Sequence, residues 1–383
     1  MRPLRARIDL GALRANLRAV RRAVPKARLL AVVKANAYGH GLAAVGRALA
    51  GVDGLAVACL EEALVLREAG VRAPILLLEG FFDEDEVAPA ERHRLSCVVH
   101  DPHQIEILER RASFPALDVW IKVDTGMNRL GFPPEAVPVV LERLAARGAF
   151  ARHRPVLMTH FAQADRPDGE ATRDQIRRFE ALASPPGALR SAANSAALLA
   201  CPEAHYDWVR PGLLLFGVSP FPDRDGTSLG FRPVMSLITE TIALRRVAPG
   251  DRVGYGGVWR AERPGWIAIA AVGYGDGYPW RVPDGNPVRV GPRLCPLAGR
   301  VSMDMIAIDL GADPVPVGTP VELWGSGLPV EDLARRAGTV PYELLCGIAS
   351  RVRYEIVGEE PSDVEGPPDA DTANETLPCP EAL

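Results

Sequence analysis

From Leu29 to about Gly217, short apolar runs alternate with segments whose apolar residues recur at helical spacing. The runs are "LLAVVKA", "GLAVAC", "PILLLEG", "LSCVVH", "DVWIKVD", "RPVLMTH", "LRSAANS" and "YDWVRPGLLLFG". Between them lie stretches such as "LEEALVLREAG" and "HQIEILERRA", which predict amphipathic helices. Strands alternating with helices imply parallel pairing through right-handed crossovers. Eight such units fit an α/β fold, a closed (β/α)8 TIM-type barrel over residues 1–231. An open doubly-wound sheet is the alternative, but its GxGxxG turn after the first strand is absent.

The pattern changes after Phe231. "SLITETIALRRVAPGDRVGYGG", "GWIAIAAVGYGDGYP", "NPVRVGPRLCPLAGRVSMDMIAIDL" and "GTPVELWG" are short alternating runs punctuated by Gly, Pro and Asp. They predict a mainly β C-terminal domain over 232–358, with short helices at "PVEDLARRAGTV" and "PYELLCGIAS". From Glu359 the chain is acidic and proline-bearing without Lys or Arg, which predicts a disordered tail over 359–383.

A length of 383 residues agrees with two domains. The formal charge of -4 gives no general attraction to nucleic acid or anionic membrane. No apolar run is long enough to span a bilayer, and the N-terminus lacks the continuous apolar segment of a signal peptide. The six cysteines are scattered without a CxxC pair, so neither a disulfide framework nor a metal cluster is expected, and a reducing cytoplasm is the default location.

Strand ends of a barrel meet at one rim, where barrel enzymes hold their chemistry. Read in order, these ends supply Lys34, Tyr38 and His40, then Lys122 and Arg129 in "KVDTGMNRLG", His160 in "THFAQAD", Asn194 and Ser195 in "AANSA", and Arg210 in "VRPG". Lys34 either leaves its strand for water or is a partly desolvated amine able to form an imine with a carbonyl cofactor. Ser195, with Asn194, is a helix cap or a phosphate donor. A glycine after proline at this strand end, Gly212 after Pro211, exposes backbone N–H groups that could hold a phosphate. His160 alone reads as a hydrogen-bonded residue at the edge of the core. In the β domain, Tyr255, Tyr274 and Tyr278 sit among glycines, where a phenol covers a turn or is presented as an acid–base group.

The ordered series "AVVKANAYGHG", "KVDTGMNRLGF", "THFAQAD", "AANSA", "DWVRPGLLLFGVSP", "VGYGGVW", "VGYGDGYP" and "GRVSMDM" resembles the alanine racemases, pyridoxal-phosphate enzymes of the barrel fold type, from about Ile8 to Val357. The resemblance implies that Lys34 carries the cofactor and that Tyr38, Asn194, Ser195, Gly212 and Leu213 surround it, the phosphate lying on Tyr38, Ser195, Gly212 and Leu213. It implies that Arg210 faces the pyridine nitrogen, oriented by His160, where an arginine stays charged and cannot accept a proton. Arg129 would lie beside the substrate carboxylate, Met303 would contribute backbone near it, and Tyr274 would narrow the entrance. Tyr255 would be the second base, opposite Lys34, reaching the partner's cofactor in a homodimer with shared sites. Lys122 matches a position carbamylated in some members.

One departure stands out. Many members carry "RVPR" preceded by a phosphate-contacting tyrosine, whereas "IASRVRYEIVG" has Ser350 there and no proline, so that contact is left unassigned rather than moved to Tyr354. The implied reaction interconverts L- and D-alanine, supplying D-alanine for the cell wall or serving alanine breakdown. A broader-range or serine racemase stays in the same class. A non-catalytic pyridoxal phosphate carrier would need only the barrel, and a decarboxylase would carry a cysteine–aspartate motif that "GRVSMDM" does not match.

Overall fold

Eight parallel strands close in chain order: Arg28–Val32, Gly54–Val57, Ile75–Leu77, Leu95–Val99, Asp118–Lys122, Val156–Met158, Leu189–Ser191 and Trp208–Val209, the last pairing with the first. The computed structural model describes residues 2–111, 117–151, 153–166 and 169–358; the acidic tail expected at 359–383 lies outside them. Gly54–Val57 and Ile75–Leu77 are buried throughout, as strands must be when side chains fill the barrel on one face and helices cover the other.

The eighth apolar run departs from expectation. In "YDWVRPGLLLFG" only Trp208–Val209 is strand, and Leu213–Phe216 folds into a buried 3-10 turn. Pro211 has no N–H to continue a ladder, so the chain turns at Gly212 and buries four apolar residues as one coil.

The second module is a sheet centred on the long strand Met235–Val247. This strand pairs antiparallel with Arg5–Asp9, Gly265–Ala270 and Pro320–Trp324. Arg353–Val357 lies parallel beside Arg5–Asp9, and Ile306–Gly311 beside Gly265–Ala270. The expectation that residues 1–231 build the barrel alone is therefore corrected at its N-terminus. Arg5–Asp9 is a strand of the second sheet, with Ala6 and Ile8 buried and its charged residues facing outward. "RARID" has the alternation of a half-buried strand, not the continuous apolar character of a barrel strand.

The chain then crosses to the barrel through the helix Leu10–Ala23, capped by the Asp9 carboxylate, which accepts from the Ala12 amide at 2.9 Å. Within this helix, buried Asn16 donates to the carbonyls of Leu215 (3.0 Å) and Arg232 (2.7 Å) and accepts from the Arg232 amide (2.8 Å). Glu331, in the helix Val330–Ala337, accepts from the amides of Ser219 (2.9 Å) and Gly226 (2.8 Å). The segment leaving the barrel is thus held by both modules. Among the described residues no helix is long and apolar enough to cross a membrane.

Candidate active site

Lys34 begins a turn that the sequence pattern does not predict. Ala35, Asn36, Ala37 and Tyr38 all have φ of 52–55°, a left-handed turn made of non-glycine residues. Each such residue costs on the order of 1–2 kcal/mol, so the surroundings must hold the turn in place. The Asn36 side chain accepts from the Leu42 amide at 2.8 Å, and the Tyr354 hydroxyl donates to the Gly39 carbonyl at 2.7 Å. His40 Nδ1 lies 3.0 Å from the Ala37 carbonyl and 2.8 Å from that of Tyr38. Gly39 has no room for a side chain, since a Cβ would overlap the carbonyl of Leu345. The result is a tight reversal that leaves Lys34 and Tyr38 lining one cavity at the barrel mouth.

That cavity, about 830 Å³, gathers the barrel residues expected from the sequence except His40: Lys34, Tyr38, Lys122, Arg129, His160, Asn194, Ser195, Arg210, Gly212 and Leu213. Four of them are basic side chains, Lys34, Lys122, Arg129 and Arg210, against the acids Glu79, Asp165 and Glu331. Arg129 is delivered by the loop after Asp118–Lys122. In that loop Asp124 accepts from the amides of Gly126 (2.8 Å), Met127 (3.0 Å) and Asn128 (3.1 Å). Packing around the Lys122 amine, with Arg210, Arg129 and Lys34 next in effect, lowers its pKa to about 7.

Arg210 is 4% exposed, and among the described residues its bonds go only to neutral acceptors. It donates to Ser191 Oγ (2.7 Å), the Thr159 carbonyl (2.7 Å), the Ala192 carbonyl (3.0 Å) and His160 Nδ1 (3.2 Å). Burial lowers its pKa to about 10, so it stays a cation at neutral pH. Because guanidinium can only donate, His160 Nδ1 must be the bare nitrogen of a neutral ring. Burial first, then Arg210 and the other cations, push His160 well below its usual range, in agreement with that state. Read alone from the sequence, His160 was a core-edge histidine; the structure brings it onto Arg210.

At the other end of the cavity Ser195 starts the short helix Ser195–Ala200, capped by Asn194, whose side chain accepts from the Ala197 amide at 3.0 Å. Ser195 Oγ accepts from the Gly212 amide at 3.0 Å. A Cβ on Gly212 would run into the Tyr38 hydroxyl, so glycine here makes the space that brings a phenol, a serine and backbone amides together. Burial raises the Tyr38 pKa, with Tyr342 and Cys346 adding to it, which leaves the hydroxyl a donor at any working pH. This donor set and the basic side chains beside it fit a phosphorylated carbonyl cofactor carrying a carboxylate substrate. Lys34 is the amine available to bond to it, and Tyr38, Ser195 and the Gly212 turn are the groups available to its phosphate.

Tyr342 was missed by sequence reasoning. It lies in the helix Pro341–Cys346, lines the cavity and places its ring 5.8 Å from that of Tyr38. Although 40% of the residue is exposed at the cavity mouth, packing around its hydroxyl and then Asp165 raise its pKa. Ser350, at the place of the family's phosphate-contacting tyrosine, is exposed, while the Tyr354 hydroxyl is occupied at Gly39. Nothing in "PYELLC" marks its tyrosine off from a surface helix residue.

Tyr255, Tyr274 and Met303 do not join this chain's cavity. They are 71%, 42% and 54% exposed on adjoining loops of the β domain. Tyr255 sits in the turn of the hairpin Arg252–Val253/Trp259–Arg260, whose neighbour is the loop at Gly299–Arg300. The amides of Tyr274 and Gly275 donate to the carbonyls of Ser302 (3.0 Å) and Met303 (2.9 Å). Buried Asp276 clamps these loops, with Arg2 at 2.7 Å, Arg351 at 2.7 Å and the Gly273 amide at 2.9 Å. Tyr278, by contrast, is fully buried, stacked 6.4 Å from Trp324, and belongs to the core.

Comparison with known proteins identifies the family and the fold. Residues 8–220 match the family model described as the N-terminal domain of alanine racemase, and residues 234–356 match its C-terminal domain. An alanine racemase of Nitrosococcus oceani is 49% identical over 346 residues, 90% of this chain and 97% of that protein. A catabolic alanine racemase of Klebsiella aerogenes is 48% identical over 92% of this chain and 98% of its own length. The crystal structure of the biosynthetic alanine racemase from Pseudomonas aeruginosa superposes with a TM-score of 0.88 at 46% identity, covering 94% of this chain and 100% of that one. With both domain models matched in order and the barrel-mouth residues assembled as they are, the chain belongs to the alanine racemase family of amino-acid isomerases.

Proposed function

We propose that this protein interconverts L- and D-alanine, using pyridoxal phosphate held by Lys34 and two bases, Lys34 and Tyr255. The observation that carries this reading is the barrel-mouth cavity. It sets the Lys34 amine with the guanidiniums of Arg129 and Arg210, beside a tyrosine–serine–glycine cradle suited to phosphate. When bound, the cofactor supplies an electron sink that makes the α-proton of an amino acid removable.

The chain's own groups account for the rest. Lys34 exchanges a proton on one face of the α-carbon, and the Tyr255 phenol serves the other. Arg129 and the backbone at Met303 hold the carboxylate, and Tyr274 narrows the entrance. His160 orients the Arg210 guanidinium by accepting from it at 3.2 Å, and Arg210 can only donate. Lys122, with a pKa near 7, has a large neutral fraction of the kind that adds carbon dioxide, and we read it as the carbamylated lysine that orients Arg129.

Tyr255 is exposed, far from being enclosed with Lys34 of its own chain, and this supports a head-to-tail homodimer in which it reaches the partner's cavity. Relatives named as catabolic and biosynthetic match at 48% and 46% identity, so the reading is of the reaction and not of its metabolic direction. The expected result is formation of D-alanine from L-alanine by the purified holoenzyme, and slower turnover of L-serine. Borohydride reduction followed by peptide mapping should place the cofactor on Lys34. Label on another lysine would overturn the assignment.

A further inference from the structure

His40 is the one ionisable residue of the "KANAYGHG" turn that the proposed chemistry leaves without a task. It is fully buried, lies two residues beyond Tyr38 and does not reach the site cavity. Its Nδ1 stands 3.0 Å from the Ala37 carbonyl and 2.8 Å from the Tyr38 carbonyl. Carbonyl oxygens only accept, so Nδ1 must carry the hydrogen and Nε2 must be bare. Burial lowers the pKa of His40 to about 4, which keeps the ring neutral and that tautomer in place.

The two carbonyls it meets belong to the end of the left-handed run Ala35–Tyr38, where non-glycine residues need an external restraint. On its other side the ring stacks on Phe216, with centroids 4.3 Å apart and planes at 28°. Phe216 closes the buried turn Leu213–Phe216 that follows Gly212, and its ring also lies 5.1 Å from that of Tyr38. One imidazole therefore touches both segments that form the phosphate cradle: the turn bearing Lys34 and Tyr38, and the turn bearing Gly212 and Leu213.

We propose that His40 is a positioning residue, its Nδ1–H and its stack on Phe216 fixing the left-handed turn so that Lys34 and Tyr38 meet the Gly212 turn at the spacing pyridoxal phosphate requires. This rests on the cofactor reading above. It assigns the histidine no contact with cofactor or substrate.

Two substitutions separate positioning from simple packing. His40→Asn keeps an N–H donor near the place of Nδ1, whereas His40→Leu keeps bulk and removes the donor. Apoprotein of each is titrated with pyridoxal phosphate, followed by absorbance, and then assayed for kcat and KM. His40→Leu should weaken cofactor binding about tenfold or more and lower kcat more than it raises KM. His40→Asn should stay within about threefold of the parent. A wild-type measurement stands beside these should His40→Leu not fold: long-range proton–nitrogen NMR of histidine-labelled protein should show His40 as the Nδ1–H tautomer. The Nε2–H tautomer, full cofactor affinity in His40→Leu, or equal losses in both variants would overturn the proposal. A wild-type protein that neither takes up pyridoxal phosphate nor racemises alanine would instead reject the functional reading, while the tautomer still decides the geometry.

Discussion

Arg210 carries a full charge into the wall of the barrel with four neutral acceptors and no carboxylate among its bonds. Removing it leaves the Thr159 and Ala192 carbonyls and Ser191 Oγ without their donor, so Arg210→Gln should lower stability by about 2–4 kcal/mol in urea unfolding of the apoprotein. An unchanged midpoint would show that these bonds are weak. The buried histidines make a second prediction, in which the sign follows from proton counting. His40 and His160 stay neutral when folded but take a proton near their ordinary value of 6.5 when unfolded. The unfolded chain thus binds more protons between about pH 4 and 6.5, and stability falls as pH drops through that window. His40 alone should contribute roughly 3 kcal/mol of that loss. The stability–pH curve of His40→Asn should be flatter by that amount, and parallel curves would contradict the assignment. Of these residues, Arg210 and His160 were legible as strand-end polar groups. Their pairing followed only from the family resemblance and not from the residues themselves, because it joins different strands at an angle no spacing encodes.

The left-handed turn is the element on which the site depends, and the sequence offered little warning of it. Four consecutive positive-φ residues would ordinarily call for glycine or asparagine, and only Asn36 among them is such a residue. The turn is instead imposed from outside by Leu345, Tyr354, Leu42 and His40. Two neighbouring substitutions should therefore act in opposite directions. Ala35→Gly, at an exposed position with φ of 53°, should be neutral or stabilising by up to about 1 kcal/mol, unlike most alanine-to-glycine changes. Gly39→Ala should destabilise by about 3 kcal/mol or more, because its Cβ meets backbone that cannot step aside. Thermal unfolding of both variants tests this, and loss of stability in Ala35→Gly would show the turn to be unstrained. The barrel strands, by contrast, were readable because each is a continuous apolar run between polar loops. Arg5–Asp9 showed its alternation but not its partners, which lie some 230 and 350 residues along the chain.

At the scale of the whole molecule, the two modules divide the proposed chemistry: the barrel gathers the residues proposed to hold the cofactor, and the β domain displays Tyr255, Tyr274 and Met303 on its surface. The order of motifs made both modules legible, while the separation of Lys34 from Tyr255 is a property of the folded chain. The clamp at Asp276 predicts that the displayed loops are set by the N-terminus. Arg2→Gln, removing a bidentate pair at 2.7 and 2.8 Å, should raise the KM for L-alanine several-fold with little change in cofactor affinity. Equal effects on both would place the fault in folding. The central claim is that an amine from one chain and a phenol from another face a single carbon. The most direct measurement is the racemase activity of Lys34→Ala and Tyr255→Phe chains, each inactive alone, after they are mixed and exchanged into heterodimers. Shared sites restore one intact centre per heterodimer, so random exchange should recover about a quarter of the parent activity. Verified heterodimers with no recovered activity would contradict the account.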